Sequence, residues 1–418
     1  MFGRAQLSKT FFHLWRISRR LWVRAALLAG LAILVAIAAP TLSVFVPSPL
    51  SELVEISAVS KILNILATSM LSVTIFSLSV LVSARQAAAS QVTPRSHQVL
   101  LEDTTTQNVL ATFLGSFIFA LTASIAIDTK YYTGGAATVV LAIALTVAAL
   151  VVIAILRWID HLGDLGSMRQ TSARIEKSTI EAIRNRRELP CLGARPLTPG
   201  QLEIPARALH FDAWDTGYVQ HIDLRRLSRA ARDSGGSVFI VAQPGELVSP
   251  GEPLVYHTTE IDDDKLRSAF TISDHRVFEQ DPRFGVIVMS EIAQRALSPG
   301  VNDPGTAIDI LTRLARVLAH YRAEENPDCE PKLANIWMSP VTSDELVRDA
   351  FDPIARDGAA TFEVQVRLLK TLALIAHSGE STMQQAAQAA GARAVELATQ
   401  SLPLQEQRDR IRDLGDKI

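Results

Sequence analysis

Apolar residues dominate the first 160 positions of the chain, and beyond them the pattern becomes mixed. Four stretches of the apolar part, residues 25–46, 62–83, 109–127 and 136–156, contain no Asp, Glu, Lys or Arg. A helix rises ~1.5 Å per residue, so about 20 apolar residues cross the hydrocarbon core of a bilayer. Backbone polar groups have no partners in lipid except each other, so each stretch is expected to be a transmembrane helix. The first is too long for the apolar region of a signal peptide and reads as an uncleaved anchor.

The second stretch is set apart by polar positions at helical spacing. At about 100° per residue, Asn64, Thr68, Ser72, Ser79 and Ser83 fall within one stripe, and Gln86 and Ser90 continue it. Leu66, Met70 and Leu81 lie on the other side. A hydroxyl stripe running the depth of a bilayer can border water, which makes these five the candidate pore-lining residues. The competing reading is packing, because Ser and Thr also let transmembrane helices approach and bond to one another. In the third stretch Thr112, Gly115, Ser116 and Ala120 read as such a packing face.

Past the fourth stretch, residues 158–200 read as a helical stalk followed by a Pro- and Gly-rich linker. Residues 201–262 then take on strand patterning, clearest in VFIVAQPGELVSPGEPLVYH at 238–257. That stretch resembles a barrel-sandwich hybrid, the small β fold of lipoyl and biotinyl domains and of membrane-fusion adaptors. The resemblance implies a small β-barrel-like module. A carrier domain of that fold presents a lysine at a hairpin tip, and none is present in this stretch, so no prosthetic group is expected. Between positions 224 and 232, LRRLSRAAR offers a short helix with a basic face, read as solvated surface.

Residues 263–418 read as mainly helical. Two amphipathic helices there are joined by SPGVNDPGTA at 298–307, where Asp303 precedes Pro304 and is placed to cap the second helix. The same corner is also a candidate ligand site built from Ser298, Asn302, Asp303 and Thr306. A helix N-terminus attracts anions, and Asn302 with Asp303 offers oxygens to a cation. Asp274, Arg276, Asp281 and Arg283 form a charged cluster expected to pair with this corner or with a neighbouring subunit. The expected fold class is an α-helical membrane protein with four transmembrane helices (residues 25–157) and a cytoplasmic α+β domain containing the β module and C-terminal helices.

Flanking cations set the expected direction. The N-terminus carries Arg4, Lys9, Arg16, Arg19, Arg20 and Arg24 with no acid, the second loop carries Arg85 and Arg95, and Arg157, Arg169, Arg174 and Lys177 follow the fourth stretch. Glu52 and Glu55 lie in the first loop, and Tyr131 and Tyr132 in the third suit an interfacial belt. All this puts both termini in the cytoplasm of a bacterial inner membrane. Within residues 1–24, aromatic and aliphatic side chains interleave with the cations and suggest a basic amphipathic helix on the anionic leaflet.

The net charge over 418 residues is −2, which gives no polycationic surface for nucleic acid. Cys191 and Cys329 are far apart and lack metal-ligand spacing, so they read as reduced thiols, with no metal and no cofactor. No nucleophile elbow, phosphate-binding loop or HExxH is present, and no enzyme is expected. No span holds an ionisable residue, which argues against a proton-coupled pump.

Four segments resemble one family. SARQAAASQVTPR after the second stretch, EDTTTQNVLATFLGSFIFAL into the third, GYVQHIDL, and above all RALSPGVNDPGTAIDIL resemble the bacterial predicted membrane proteins known as domain of unknown function 2254. The resemblance spans nearly the whole chain and implies the same architecture, while supplying no catalytic residues. Two functions follow as expectations. One is a homo-oligomeric channel-like pore for ions, lined by the second helix and assembled or gated by the cytoplasmic domain. The alternative is a membrane-anchored sensor or scaffold whose cytoplasmic domain binds a ligand or partner.

Overall fold

Pro40 falls inside the first apolar helix and lacks the N–H that would bond to the carbonyl of Ala36. In the computed structural model the hydroxyl of Tyr132 takes that place, donating to the Ala36 carbonyl at 2.8 Å. Such a bond matters most where no water is at hand to replace it. The structure describes residues 21–43, 54–91, 95, 104–132, 135–162, 167–198, 203–321, 331–377 and 380–418. The expected amphipathic segment at the N-terminus therefore lies almost wholly outside the described residues, as do Glu52 and Cys329.

Residues 14–171 form one unit. Its helices are α1 (Leu21–Leu42), α2 (Ile56–Gln91), α3 (Thr104–Asp128) and α4 (Ala136–Leu162). Four segments within them, Trp22–Leu42, Ile56–Ala84, Thr105–Asp128 and Ala136–Leu162, are long and apolar enough to cross a membrane. The other three helices pack on α3, whose Phe113, Phe119, Ala120 and Ala123 are buried. Ser116 and Gly115 are buried as well, consistent with a packing face on this helix. Arg24 Nη1 donates to Asn108 Oδ1 at 2.7 Å and ties α1 to α3. With 36 residues, α2 is about 54 Å long, well beyond the hydrocarbon core.

The stretch read as a stalk includes parts of two described helices. α4 ends at Leu162 and α5 (Met168–Glu188) follows as a separate element. Residues 189–198 of the stretch read as a linker are described. Pro190–Gly193 makes a tight helical turn in which Cys191 and Leu192 are buried, with φ of 47° and 56°. Leu192 and Ala194 are apolar residues that this turn delivers to the core of the second unit, which strand pattern alone does not announce.

That unit comprises residues 172–418 among those described. Strands β1 (Ala194–Pro196), β2 (Leu209–Asp212), β3 (Gly217–Ile222), β4 (Val238–Ile240), β5 (Leu247–Val248), β6 (Pro253–His257), β7 (Phe270–Ser273) and β8 (Leu333–Met338) form two sheets. One runs β1-β8-β4-β6-β2 and the other β5-β3-β7, each with two free edges, so the expected barrel-like module is not a closed barrel among the described residues. The reason is visible at β4–β6. β4 and β6 pair antiparallel, with Val238 opposite His257, but Gly245 at φ +93° turns the intervening β5 away to pair with β3. The first sheet also takes β1 and β8, in parallel pairings, from outside residues 201–262.

Helix α6 (Leu224–Asp233) and the short α7 (Asp263–Ala269) accompany the sheets. The remaining helices are α8 (Pro282–Leu297), α9 (Pro304–Leu318), α10 (Ser343–Asp357), α11 (Phe362–Ala376), α12 (Ser381–Ser401) and α13 (Gln405–Gly415). Asp281 caps α8 through the Phe284 N–H, and Thr342 with Glu345 forms a reciprocal capping box on α10. α12 presents Ala386, Ala387, Ala390, Ala394 and Ala398 inward; small side chains let helices approach closely, and it packs on α10 and α11.

Candidate functional site

Helix α2 has two sides within its unit. Val59, Leu63, Leu66, Met70, Ser77 and Leu81 are buried and form the packed side. Asn64, Thr68, Ser72, Ser79 and Ser83 are exposed on the other side of the helix. The structure thus brings the five stripe residues onto one outward surface, shared with Ile75 and Val82. Ser72 donates to the Thr68 carbonyl at 3.1 Å and Ser79 to the Ile75 carbonyl at 3.0 Å. Each hydroxyl therefore has its proton placed within the helix and its lone pairs turned outward. Asn64 differs, because its Oδ1 accepts from Ser124 of α3 at 3.1 Å. Ser124 carries no mark in the sequence, since a pattern read along one helix does not name a partner on another.

The 298–307 corner gathers Ser298, Asn302, Asp303 and Thr306 by local hydrogen bonding. The carbonyl of Ser298 accepts from Val301 and Asn302 N–H groups at 3.0 and 2.9 Å, and Asp303 N–H donates to the Ala296 carbonyl at 2.7 Å. Ser298 Oγ donates to the Arg295 carbonyl. Asn302 adopts φ +49°, a left-handed conformation that asparagine tolerates better than most residues. Asp303 accepts from both the backbone and the hydroxyl of Thr306 and so caps α9, with Pro304 in the first turn. These bonds hold the Asp303 carboxyl below the usual aspartate range. A carboxylate thus already occupies the positive end of α9.

The nearby charged cluster divides instead of meeting the corner. Arg276 makes a two-point pair with the buried Asp281 at 2.8 and 3.0 Å. Arg283 reaches Asp349 and Glu345 on α10. Asp274 pairs with His275. Gly245 closes over Asp281 so tightly that a Cβ there would clash with its carboxylate. A third charged group was invisible to sequence reading. Glu176 of α5 accepts from Arg313 at 2.7 Å and from Arg316 at 2.6 Å, both on α9. Its partners lie more than a hundred residues away, so no local pattern flags them. Among the described residues no three of His, Cys, Asp or Glu converge as a metal site.

A family model described as predicted membrane protein (DUF2254) matches residues 18–374. The chain belongs to this family. Relatives include an uncharacterized protein of Mycobacterium bovis and one of Mycobacterium tuberculosis, each 28% identical over 277 residues. Those matches cover 61% of this chain and 50% of each relative, so the chain spans about half the length of the curated relatives it matches. No solved structure matches it. This DUF2254 chain is a membrane protein with four apolar helices and a mixed α/β C-terminal unit.

Proposed function

We propose that the protein is the subunit of a homo-oligomeric, channel-like pore in a bacterial inner membrane, with α2 lining the path for ions. The observation that carries this reading is the outward stripe of Thr68, Ser72, Ser79 and Ser83, opposite the side of α2 packed in its own unit. A row of hydroxyl lone pairs facing hydrocarbon forgoes hydrogen bonds, while the same row facing water gains them. Four spans are too few to enclose a path, so several copies arrange their α2 stripes around it. In this reading both termini and the C-terminal unit are cytoplasmic, following the cation pattern, and that unit assembles or gates the pore.

The test is conductance of the purified full chain in planar bilayers, recorded under voltage, membrane tension and varied salts, alongside its subunit count. Discrete current steps from an oligomer support the pore. An intact oligomer that passes no current under any of these conditions rejects it.

A further inference from the structure

Helix α6, the start of β8 and the Pro190–Gly193 turn line an open cavity of about 580 Å³ in the C-terminal unit. That volume is within the usual range of small-molecule sites. Its lining combines apolar Leu192, Ile222 and Leu333 with several cations. Arg229 and Arg232 lie three residues apart on α6, and Lys332, the residue before β8, lines the same cavity. Arg225 lines the same space.

Many arginines of this unit sit beside an acid. Arg276, Arg283, Arg313, Arg316, Arg348, Arg356, Arg393 and Arg412 all pair with carboxylates. Among the described residues Arg229, Arg232 and Lys332 meet none, and Arg229 donates to the backbone carbonyl of Arg225. The carboxylate that does line the cavity, Asp223, is the N-cap of α6 and accepts the Arg226 N–H at 3.0 Å. Like charges gathered at a cavity mouth repel one another, and a multivalent anion removes that cost. Guanidinium groups match phosphate oxygens in a two-point geometry that carboxylate-free arginines are able to offer.

We propose that this cavity binds a phosphorylated ligand with an apolar portion, its phosphates held by Arg229, Arg232 and Lys332 and its apolar part laid on Leu192, Ile222 and Leu333. The inference stands independently of the pore. The ligand is either soluble, as a nucleotide is, or a phospholipid whose headgroup enters the cavity.

The test uses the detergent-solubilised full chain. Adenosine diphosphate is titrated by calorimetry, and phosphatidic acid by native mass spectrometry, against the wild type and the Arg229→Gln/Arg232→Gln double variant. Both side chains are exposed, so the variant retains the wild-type melting temperature. The expected result is saturable binding of at least one probe, weakened about tenfold or more by the substitutions, as for lost charge-assisted hydrogen bonds. Response to adenosine diphosphate alone assigns a soluble ligand, and response to phosphatidic acid alone assigns a headgroup. Saturable binding of neither probe, or binding equal in the variant, overturns the proposal.

Discussion

The hydroxyl of Tyr132 donates to the carbonyl of Ala36 across 2.8 Å, filling the gap that Pro40 leaves in α1. Tyr132→Phe removes the donor and leaves that carbonyl without a partner, at a cost of roughly 1–2 kcal/mol. Pro40→Ala restores an N–H to α1 and with it the helix's own bond to Ala36. The double variant is therefore expected to lose less stability than Tyr132→Phe alone. Melting curves of the wild type and the three variants in detergent check this, and equal losses in the presence and absence of Pro40 contradict it.

Asn64 and Ser124 predict a second coupling. Their bond joins α2 to α3, and hydrogen bonds between transmembrane helices contribute about 0.6 kcal/mol on average. Asn64→Ala and Ser124→Ala are each expected to be mildly destabilising, with a coupling of about that size in a double-mutant cycle. Strict additivity indicates that Asn64 makes its main contact elsewhere.

Glu176 links stability to pH. Burial works to raise its carboxyl, but hydrogen bonds and charge from Arg316 and Arg313 outweigh it and hold the group below the usual glutamate range. Because the folded-state value is depressed, the stabilisation is complete above the ordinary glutamate range and is lost as pH falls through and below it. Glu176→Gln is expected to cost about 1–2 kcal/mol near neutral pH, since Arg313 keeps only its pair with Asp309 and Arg316 loses its acid. The gap in melting temperature between wild type and variant narrows as the solution is acidified. A gap independent of pH contradicts the assignment.

The corner makes a prediction about residue chemistry. Asp303→Ala removes the α9 cap and is expected to cost about 1 kcal/mol, while Asp303→Asn keeps most of it because asparagine caps equally well. Denaturant midpoints of the two variants check the order. Equal losses show that the charge of Asp303, and not its capping geometry, is what matters.

Parts of this structure were legible in the sequence for physical reasons. Apolar length specifies a membrane helix, so all four appeared, and the three-to-four-residue spacing of Asn64, Thr68, Ser72, Ser79 and Ser83 placed them together on α2. Asp303 before Pro304 is a local signal, and the cap is there. What depends on distant partners was not legible. β8 joins β1 and β4 in parallel pairings whose partners lie far upstream in the chain, so LANIWM passed as part of a helical region. The barrel expectation failed because β5, after the turn at Gly245, pairs with β3 in another sheet. LRRLSRAAR read as solvated surface, because the cavity beside Arg229 and Arg232 is completed by Leu192 and Lys332 from remote segments.

The central claim is that the α2 stripe faces a hydrated path, and cysteine accessibility tests it most directly. Ser72→Cys and Ser79→Cys are introduced singly into chains with Cys191 and Cys329 replaced by serine, reconstituted in proteoliposomes and treated with a charged, membrane-impermeant thiol reagent. Leu145→Cys on the exposed face of α4 serves as the lipid-facing control. Labelling at both serine positions with none at Leu145 is the predicted result; no labelling at either serine position, with the oligomer intact, contradicts a water-facing stripe.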